Sequence, residues 1–498
     1  MTKVTNLNHT AARTFFLKEK SYSTIQLPGY FTFQNLLNRV SDELANRPIN
    51  DLYNEKRPIE FANVNFHLLM SEDGEYEWYP LSLIHPALYV ALVNIITEDV
   101  NWNTIVDQLN RNAYLSDVTS YSIPSDSDEN TFSEKHFLIS NAQFNFEQRS
   151  EELMLEYKYV LHTDIPDCHG NLFTRSIPWA LHGRESVVNK DEHIEPFVPL
   201  LGNAIESLIK DMRYGHTKRN PQGSVLMDLF VELVLGYVEA NTAVMLKSTT
   251  INDYKIIRYR DHYTIFANDL GHAEMIGDYL LVCLSEIGLG LHEFRTYSTD
   301  SGLKESVKAD YLDWLKYNVM GQNLLESYYY LLIFTKKQPY SSVFATVLKE
   351  FYYRIDNEEI KRNDISALIS EATRIGYVNP KTYPFIAAII SNLVHREEYY
   401  RERNRLINTT KKKFNKRPNA GLMELWVQRM SIPINRKKKY EETLCQKVYN
   451  PDLALWNCDW LDEKMRCIIE KTPIIDEEVI ERLSLVIGME ELETLANL

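Results

Sequence analysis

Residues 254–267 read YKIIRYRDHYTIFA. Two β-rich runs flank Arg260-Asp261-His262, which predicts strand, tight turn and strand with Asp261 at the tip. Upstream, YKYVLHTDI (157–165) reads as a strand buried on both faces that ends at Asp164. A lone carboxylate at a strand end usually does no more than cap the following helix. Two of them, each in a distinctive local frame and brought together by adjacent strands, make a site for a divalent cation. Mg²⁺ takes one or two protein carboxylates, the rest being substrate phosphates and water. Two ions held that way clamp the attacking and leaving oxygens of a phosphoryl transfer.

Between the two aspartates lies Asn220-Pro221-Gln222-Gly223-Ser224-Val225-Leu226, opening the apolar run MDLFVELVLGYV. Ser224 suits a helix N-cap. Gly223 permits close approach of backbone to a ligand, and Gln222 offers both a donor and an acceptor to a base or sugar. Downstream, the glycines of GLGLHEFRTY (288–297) mark a helix end leading into a strand. They do not form a dinucleotide loop, which needs GxGxxG directly after a strand.

Working outward, NFHLLMSEDGEYEWYPLSLIH (65–85) is a hairpin signal centred on Asp73-Gly74, and a helical run follows from Pro86. Residues 116–135 are polar and acidic without apolar period and read as a mobile surface loop. From about Ser306 the apolar spacing becomes helical throughout, as in SSVFATVLKEFYYRI and TYPFIAAIISNLVH, so the C-terminal part is all-α, its helix pairs suited to solenoid stacking.

The chain has 498 residues, enough for two to four domains at roughly 150 each. Its 44% hydrophobic and 25% charged residues exclude wholesale disorder and a disulfide scaffold. No apolar run reaches the ~20 residues of a membrane span, and the N-terminus lacks a signal-peptide core. The five cysteines show no CxxC and read as reduced cytosolic thiols. His162, His182, His216 and His272 show no metal-ligand spacing. The net charge of −15 is uneven: Arg396 to Lys439 holds fourteen Lys/Arg against four Glu, a balance of +10 that leaves −25 for the rest. Interleaved with Tyr399, Tyr400, Phe414 and Trp426, that stretch reads either as a solvated helical face or as a polyanion site.

The order of these segments resembles the reverse-transcriptase palm. YVLHTDI looks like the first catalytic-aspartate strand, NPQGSVLMDLFVE like the PQG motif, RYRDHYTIF like the YxDD hairpin and GLGLHEFRTY like the element that follows it. EWYPLSLIHPALYVALVNII is similar to the preceding fingers segment. The likeness covers about residues 50–300. More narrowly, TDI with SIPWALHG (176–183), and LPGYFTFQNLLNRV (27–40), resemble the abortive-infection reverse transcriptases, the Abi polymerases of bacteria and their prophages. The resemblance implies an α+β fold with an N-terminal segment (1–49), fingers and palm (50–300) and an α-helical, HEAT-like domain (301–498). It also implies protein-primed, template-independent DNA synthesis from deoxynucleoside triphosphates in antiphage defence, in the bacterial cytoplasm and off the membrane. The same resemblance implies Mg²⁺ or Mn²⁺ as cofactor, a single-stranded DNA product that can stay attached to the protein, and self-association of the chain. A templated retroelement-like reverse transcriptase is the alternative among enzymes. A catalytically dead palm that binds nucleic acid or a phage protein is the alternative outside them.

Carried over residue by residue, Asp164, Asp261 and the Ile165 carbonyl become metal ligands, and His169, Gln222, Gly223 and Arg295 line the nucleotide pocket. The sequence departs from the family at His262, where a second aspartate is usual; histidine is a poor Mg²⁺ ligand. It departs at His169, where an aromatic that rejects a 2′-hydroxyl is usual. It departs at Tyr79-Pro80, where many relatives carry a triphosphate-binding arginine, leaving Lys56, Arg57 and Arg258 as candidate substitutes. Arg295 keeps the charge of the usual lysine. The priming hydroxyl is one of 31 tyrosines, with loop-borne Tyr22, Tyr30, Tyr114, Tyr121, Tyr399 and Tyr400 as candidates.

Overall fold

The computed structural model describes residues 2–45, 47–71, 78–126, 132–188, 200–300, 323–337 and 344–493. The Asp73-Gly74 turn and the helical pattern over 306–322 lie outside them. The fold is mixed α+β and predominantly helical.

A five-stranded sheet carries the chemistry-bearing segments, in the order β4 (Val118–Ser120), β7 (Tyr254–Tyr259), β8 (His262–Ala267), β6 (Tyr159–Asp164), β9 (Tyr297–Asp300). The β7–β8 hairpin forms as its composition requires, and β6 inserts beside β8 in antiparallel register. β4 pairs in parallel with β7, Ser120 opposite Arg258. This overturns the expectation of a surface loop over 116–135. Val118–Ser120 closes the sheet edge, Ser125–Asp126 (β5) pairs with Thr2–Lys3 (β1), and a helix runs from Phe132 to Glu156. Polar side chains hid those short pairings, because strands this brief carry no readable alternation. Phe66–Ser71 (β2) and Trp78–Leu83 (β3) form a separate antiparallel ribbon.

The PQG segment opens the Val225–Leu246 helix, whose Ser224 Oγ accepts a hydrogen bond from the Met227 amide at 3.4 Å. By length and composition this helix is apolar enough to cross a membrane, contrary to the sequence reading. In the fold it is the core helix under the sheet: Leu226, Leu229, Leu233 and Leu235 are buried, as are Glu232 and Glu239. Cysteines 168, 283, 445 and 458 are free and buried, and Cys467 is exposed.

The C-terminal helices Leu324–Lys337, Phe344–Asn357, Arg362–Val378, Tyr383–His395, Tyr400–Phe414 and Gly421–Asn435 pack on neighbours one or two places along the chain. The end of the chain then returns to its beginning. The Asp462 and Asp476 amides donate to the Leu52 and Tyr30 carbonyls at 2.7 and 2.8 Å, and Thr32 N donates to Ile474 O at 2.9 Å. Trp426 Nε1 donates to Gln26 O at 3.0 Å and Trp456 Nε1 to Leu83 O at 3.1 Å. One apolar core runs from Val4 to Leu492, so the C-terminal helices bury apolar surface of the N-terminal part as well as their own.

Candidate active site

The end of β6 and the turn of the β7–β8 hairpin are tied together. Asp164 stands opposite His262, and the Ile165 amide donates to the Asp261 carbonyl at 3.0 Å. Arg260 takes a left-handed conformation (φ 56°), which reverses the chain and sets Asp261 at the tip. Opposite them, the His292 amide donates to the Asp164 carbonyl at 2.8 Å, so the GLGLHEFRT element anchors the same strand end.

Asp164 is held on both oxygens. His262 Nδ1 lies 2.5 Å from Oδ1, and Arg295 Nη1 lies 3.3 Å from Oδ2. Burial pushes its carboxyl up, but the hydrogen bond and charge of His262 and the Arg295 guanidinium outweigh this and hold it below the ordinary range. Asp261 goes the other way. Its side chain reaches solvent, yet the protein around it and the neighbouring Asp164 carboxylate raise its pKa. His162 stacks on His262 with ring centroids 5.9 Å apart, and Tyr297 lies 5.1 Å beyond.

Asp261 opens into a cavity of about 560 Å³. Gln222, Gly223, His169, Tyr79, Tyr121 and Arg260 are among its walls, with Lys20 from the N-terminal segment and Lys381 from the helical part. The cavity therefore joins all three regions of the chain. Gly223 (φ +121°) makes its close approach to the protein itself: a Cβ there would meet Ile25 Cγ1 at 3.2 Å and the Ser82 carbonyl at 3.3 Å. Its carbonyl accepts from Thr24 N at 2.9 Å, and the Gln222 carbonyl accepts from Ser82 N at 2.7 Å. Gly223 thus seats the PQG turn between the N-terminal segment and the β2–β3 ribbon. His169 Nε2 lies 3.3 Å from Asp228 Oδ1 on the 225–246 helix.

Beneath the hairpin lies a buried charge network in which Arg258 pairs with acidic neighbours, the alternative to a triphosphate role that its place in the hairpin left open. Arg258, 1% exposed, binds Glu232 at 2.7 and 3.0 Å, Glu239 at 2.5 Å and the Arg260 carbonyl at 2.9 Å. Glu239 also accepts from the Tyr263 hydroxyl at 3.0 Å. Burial raises the Glu239 carboxyl, with Arg258 opposing. The signal was legible in part: two glutamates seven residues apart on an otherwise apolar helix share one face and need a cation.

Arg258 is consequently not a triphosphate ligand. Arg57 is bound to Asp211 at 3.1 Å, and neither it nor the exposed Lys56 lines the cavity. Among the priming candidates, Tyr22 and Tyr30 are fully buried, with their hydroxyls toward Ile84 O (2.5 Å) and Gln428 Oε1 (3.5 Å), so neither is available in this conformation. Tyr114 is 88% exposed but lies outside the cavity. Tyr399 and Tyr400 are exposed on the helical part, and Tyr121 lines the cavity. His182 is structural: its Nε2 accepts from the Gly202 amide at 3.0 Å.

Among the described residues no three His, Cys, Asp or Glu side chains converge as a metal cage. Mg²⁺ does not need one, because one or two carboxylates and substrate phosphates suffice. Asp164 and Asp261 are brought side by side at the strand end and the turn. Burial first, and then the Asp164 carboxylate, disfavours the charged form of Asp261. A divalent cation between the two would offset both, so the donor set fits such an ion.

No protein-family model matches the chain, and no curated protein matches it. Among solved structures it is similar to apo telomerase from Candida tropicalis, at 12% identity and a TM-score of 0.31, over 88% of this chain and 74% of that one. It is also similar to Candida albicans telomerase in complex with a fragment of telomeric RNA, at 10% identity and a TM-score of 0.29, over 74% and 68%.

Proposed function

We propose that this protein is a reverse-transcriptase-like nucleotidyltransferase that adds deoxynucleotides from deoxynucleoside triphosphates. One observation carries the reading: Asp164 and Asp261, far apart in sequence, are tied together at a strand end and turn tip, beside a cavity floored by the PQG turn. Asp164, Asp261 and the Ile165 carbonyl hold Mg²⁺ or Mn²⁺, which when bound supplies charge to activate the attacking hydroxyl and stabilise the leaving pyrophosphate. Gln222 and Gly223 border the nucleotide and His169 faces the sugar; Arg295, paired with Asp164 and outside the cavity walls, serves the phosphates on exchanging that partner. The resemblance to the Abi polymerases supports protein priming without template, antiphage abortive infection, a bacterial cytoplasmic setting, a single-stranded DNA product and self-association.

A second reading, the catalytically dead palm, is favoured by the occupation of both Asp164 oxygens by His262 and Arg295. Incubating the purified protein with labelled deoxynucleotides and Mg²⁺, with and without template, separates these. Label attached to protein without template supports the proposal. Label that requires a template assigns a templated reverse transcriptase, and the absence of any incorporation assigns a dead palm.

A further inference from the structure

The +10 stretch between Arg396 and Lys439 folds into the Tyr400–Phe414 helix, the loop after it and the segment beyond the Gly421–Asn435 helix. Several of its cations are spent inside the protein. Arg396 donates to the Ile355 and Glu358 carbonyls, Arg403 to those of Glu397 and His395, and Arg405 pairs with Glu402. Arg429 and Arg436 pair with Glu491 and Glu477. Lysines in a last helical turn also answer the helix dipole, which accounts for Lys412 and Lys413 but not for Lys416, Lys437 or Lys439.

What remains is a distinct surface. Lys412, Lys413, Lys416, Lys437 and Lys439 are exposed, and among the described residues no carboxylate pairs with them. Lys411 links the two groups by donating to the Lys439 carbonyl at 2.7 Å. Behind it, Lys438 Nζ is buried without a hydrogen-bond partner, and burial and then Lys411 push its pKa down to about 8. Like charges are crowded there.

The surface is continuous with the cavity. Lys413 and Arg417 lie over the Tyr377 ring, at 5.3 and 3.9 Å from its centroid. Tyr377 sits four residues before Lys381, a cavity wall. Arg417 also borders a crevice that shares two of its walls, Met70 and Leu422, with the cavity. Exposed Tyr399 and Tyr400 stand at the start of the same basic helix. Cations interleaved with aromatic faces suit a single strand, whose phosphates take the charge and whose bases stack. With −25 on the remainder of the chain, a polyanion is steered here and repelled elsewhere.

We propose that this face, from Arg417 through Lys412, Lys413 and Lys416 to Lys437–Lys439, binds single-stranded nucleic acid and leads it away from the Asp261 cavity. Calling that strand the reaction product rests on the function proposed above; the binding itself does not.

The test uses the full chain and a labelled oligothymidylate of about 20 nucleotides. Anisotropy is read across a salt series in EDTA without nucleotides, so a dead palm gives the same result as an active one. The Lys412→Glu, Lys413→Glu, Lys416→Glu triple variant is expected to bind at least about tenfold more weakly. Its log affinity against log salt is expected to flatten by about 2, from ~0.7 per lost phosphate contact on a single strand. A control with the same charge change at exposed Lys247, Lys255 and Lys361 is expected to retain the wild-type slope. Equal losses in both variants, or none in the first, overturn the proposal. A change in sedimentation with unchanged oligonucleotide affinity also overturns it and gives the face to a second copy of the chain.

Discussion

His262 stands directly opposite Asp164 in the β6–β8 ladder, with Nδ1 2.5 Å from the Asp164 carboxylate. The residue that follows Asp261 is therefore used to satisfy Asp164. A histidine there lowers the negative charge at the turn and supplies a partner that Asp164 must share with any cation. His262→Ala removes that competitor without removing either carboxylate. Its synthesis rate is expected to stay within about tenfold of wild type at saturating Mg²⁺, with a lower Mg²⁺ concentration at half-maximal rate. A loss as deep as that of Asp261→Ala would make His262 part of the catalytic set.

Asp164→Ala and Asp261→Ala are each expected to reduce synthesis by at least about 10²-fold, the scale for loss of preorganised charge stabilisation. Both side chains reach solvent at the ends of their elements and neither packs in the core. Circular dichroism should therefore match wild type. The melting temperature should not fall for Asp261→Ala, and should fall modestly for Asp164→Ala, which leaves His262 and Arg295 without their shared carboxylate. Near-normal polymerisation by either variant removes that residue from the assignment.

Arg258→Met should lower the unfolding temperature of the protein. The guanidinium is enclosed by Glu232 and Glu239, and deleting it leaves two buried carboxylates uncompensated, a cost of about 3–5 kcal/mol. It also frees the Arg260 carbonyl that precedes Asp261. Arg258→Lys should recover little, because one ammonium cannot reproduce the fork that reaches both glutamates and the carbonyl. Thermal unfolding of both variants decides this, and a Lys variant as stable as wild type contradicts it.

Glu442 gives a pH dependence unconnected with the active site. Burial, with Glu424 adding to it against the Leu444 and Thr443 amides, raises its pKa to about 7. The folded state thus holds a proton that the unfolded chain releases near pH ~4.3, so this group lowers stability as pH rises from there to about 7. Glu442→Gln keeps an oxygen for the helix cap and removes the charge. It should raise the melting temperature at pH 8 by about 2 °C or more and leave it unchanged at pH 4. A stabilisation that is equal at both pH values contradicts burial of the Glu442 charge as its cause.

The hairpin at 254–267 and the strand at 159–164 were legible because β-branched and aromatic runs end on turn residues, a local signal. The pairing of Asp164 with His262 was not, since register between distant strands is a tertiary property. Val118–Ser120 escaped notice for a related reason: β7 decides that it is a strand. Tyr22 is buried against Phe33 and Tyr89, whereas Tyr30 is covered by the C-terminal part, its hydroxyl facing Gln428 and its carbonyl accepting from the Asp476 amide, a contact across about four hundred residues that no local pattern encodes. By the same contact, a fragment ending near residue 300 loses the cover of Gln26, Tyr30 and Leu83, which accounts for the apolar faces of the C-terminal helices.

The priming hydroxyl provides the last test. In the proposed reaction a tyrosine oxygen bonds to the α-phosphorus of a deoxynucleoside triphosphate. The bond from that phosphorus to the bridging oxygen breaks, pyrophosphate leaves, and the phenolic proton passes to solvent. The hydroxyl must reach the reacting phosphorus in line, which favours a residue that shares the cavity with Asp261. Among the six candidates that residue is Tyr121. Its backbone amide is fixed to the Arg258 carbonyl at 2.9 Å, one strand from the hairpin turn. Burial raises its hydroxyl above the ordinary phenol range, with Arg149 opposing, so ionisation needs a cation nearby. Mass spectrometry of nuclease-trimmed protein is expected to find the nucleotide adduct on the peptide that contains Tyr121. Tyr121→Phe should abolish the adduct, whereas Tyr22→Phe and Tyr30→Phe should retain it. An adduct on Tyr22 or Tyr30 would mean that the N-terminal segment leaves the core during synthesis, and one on serine or threonine would end the tyrosine assignment.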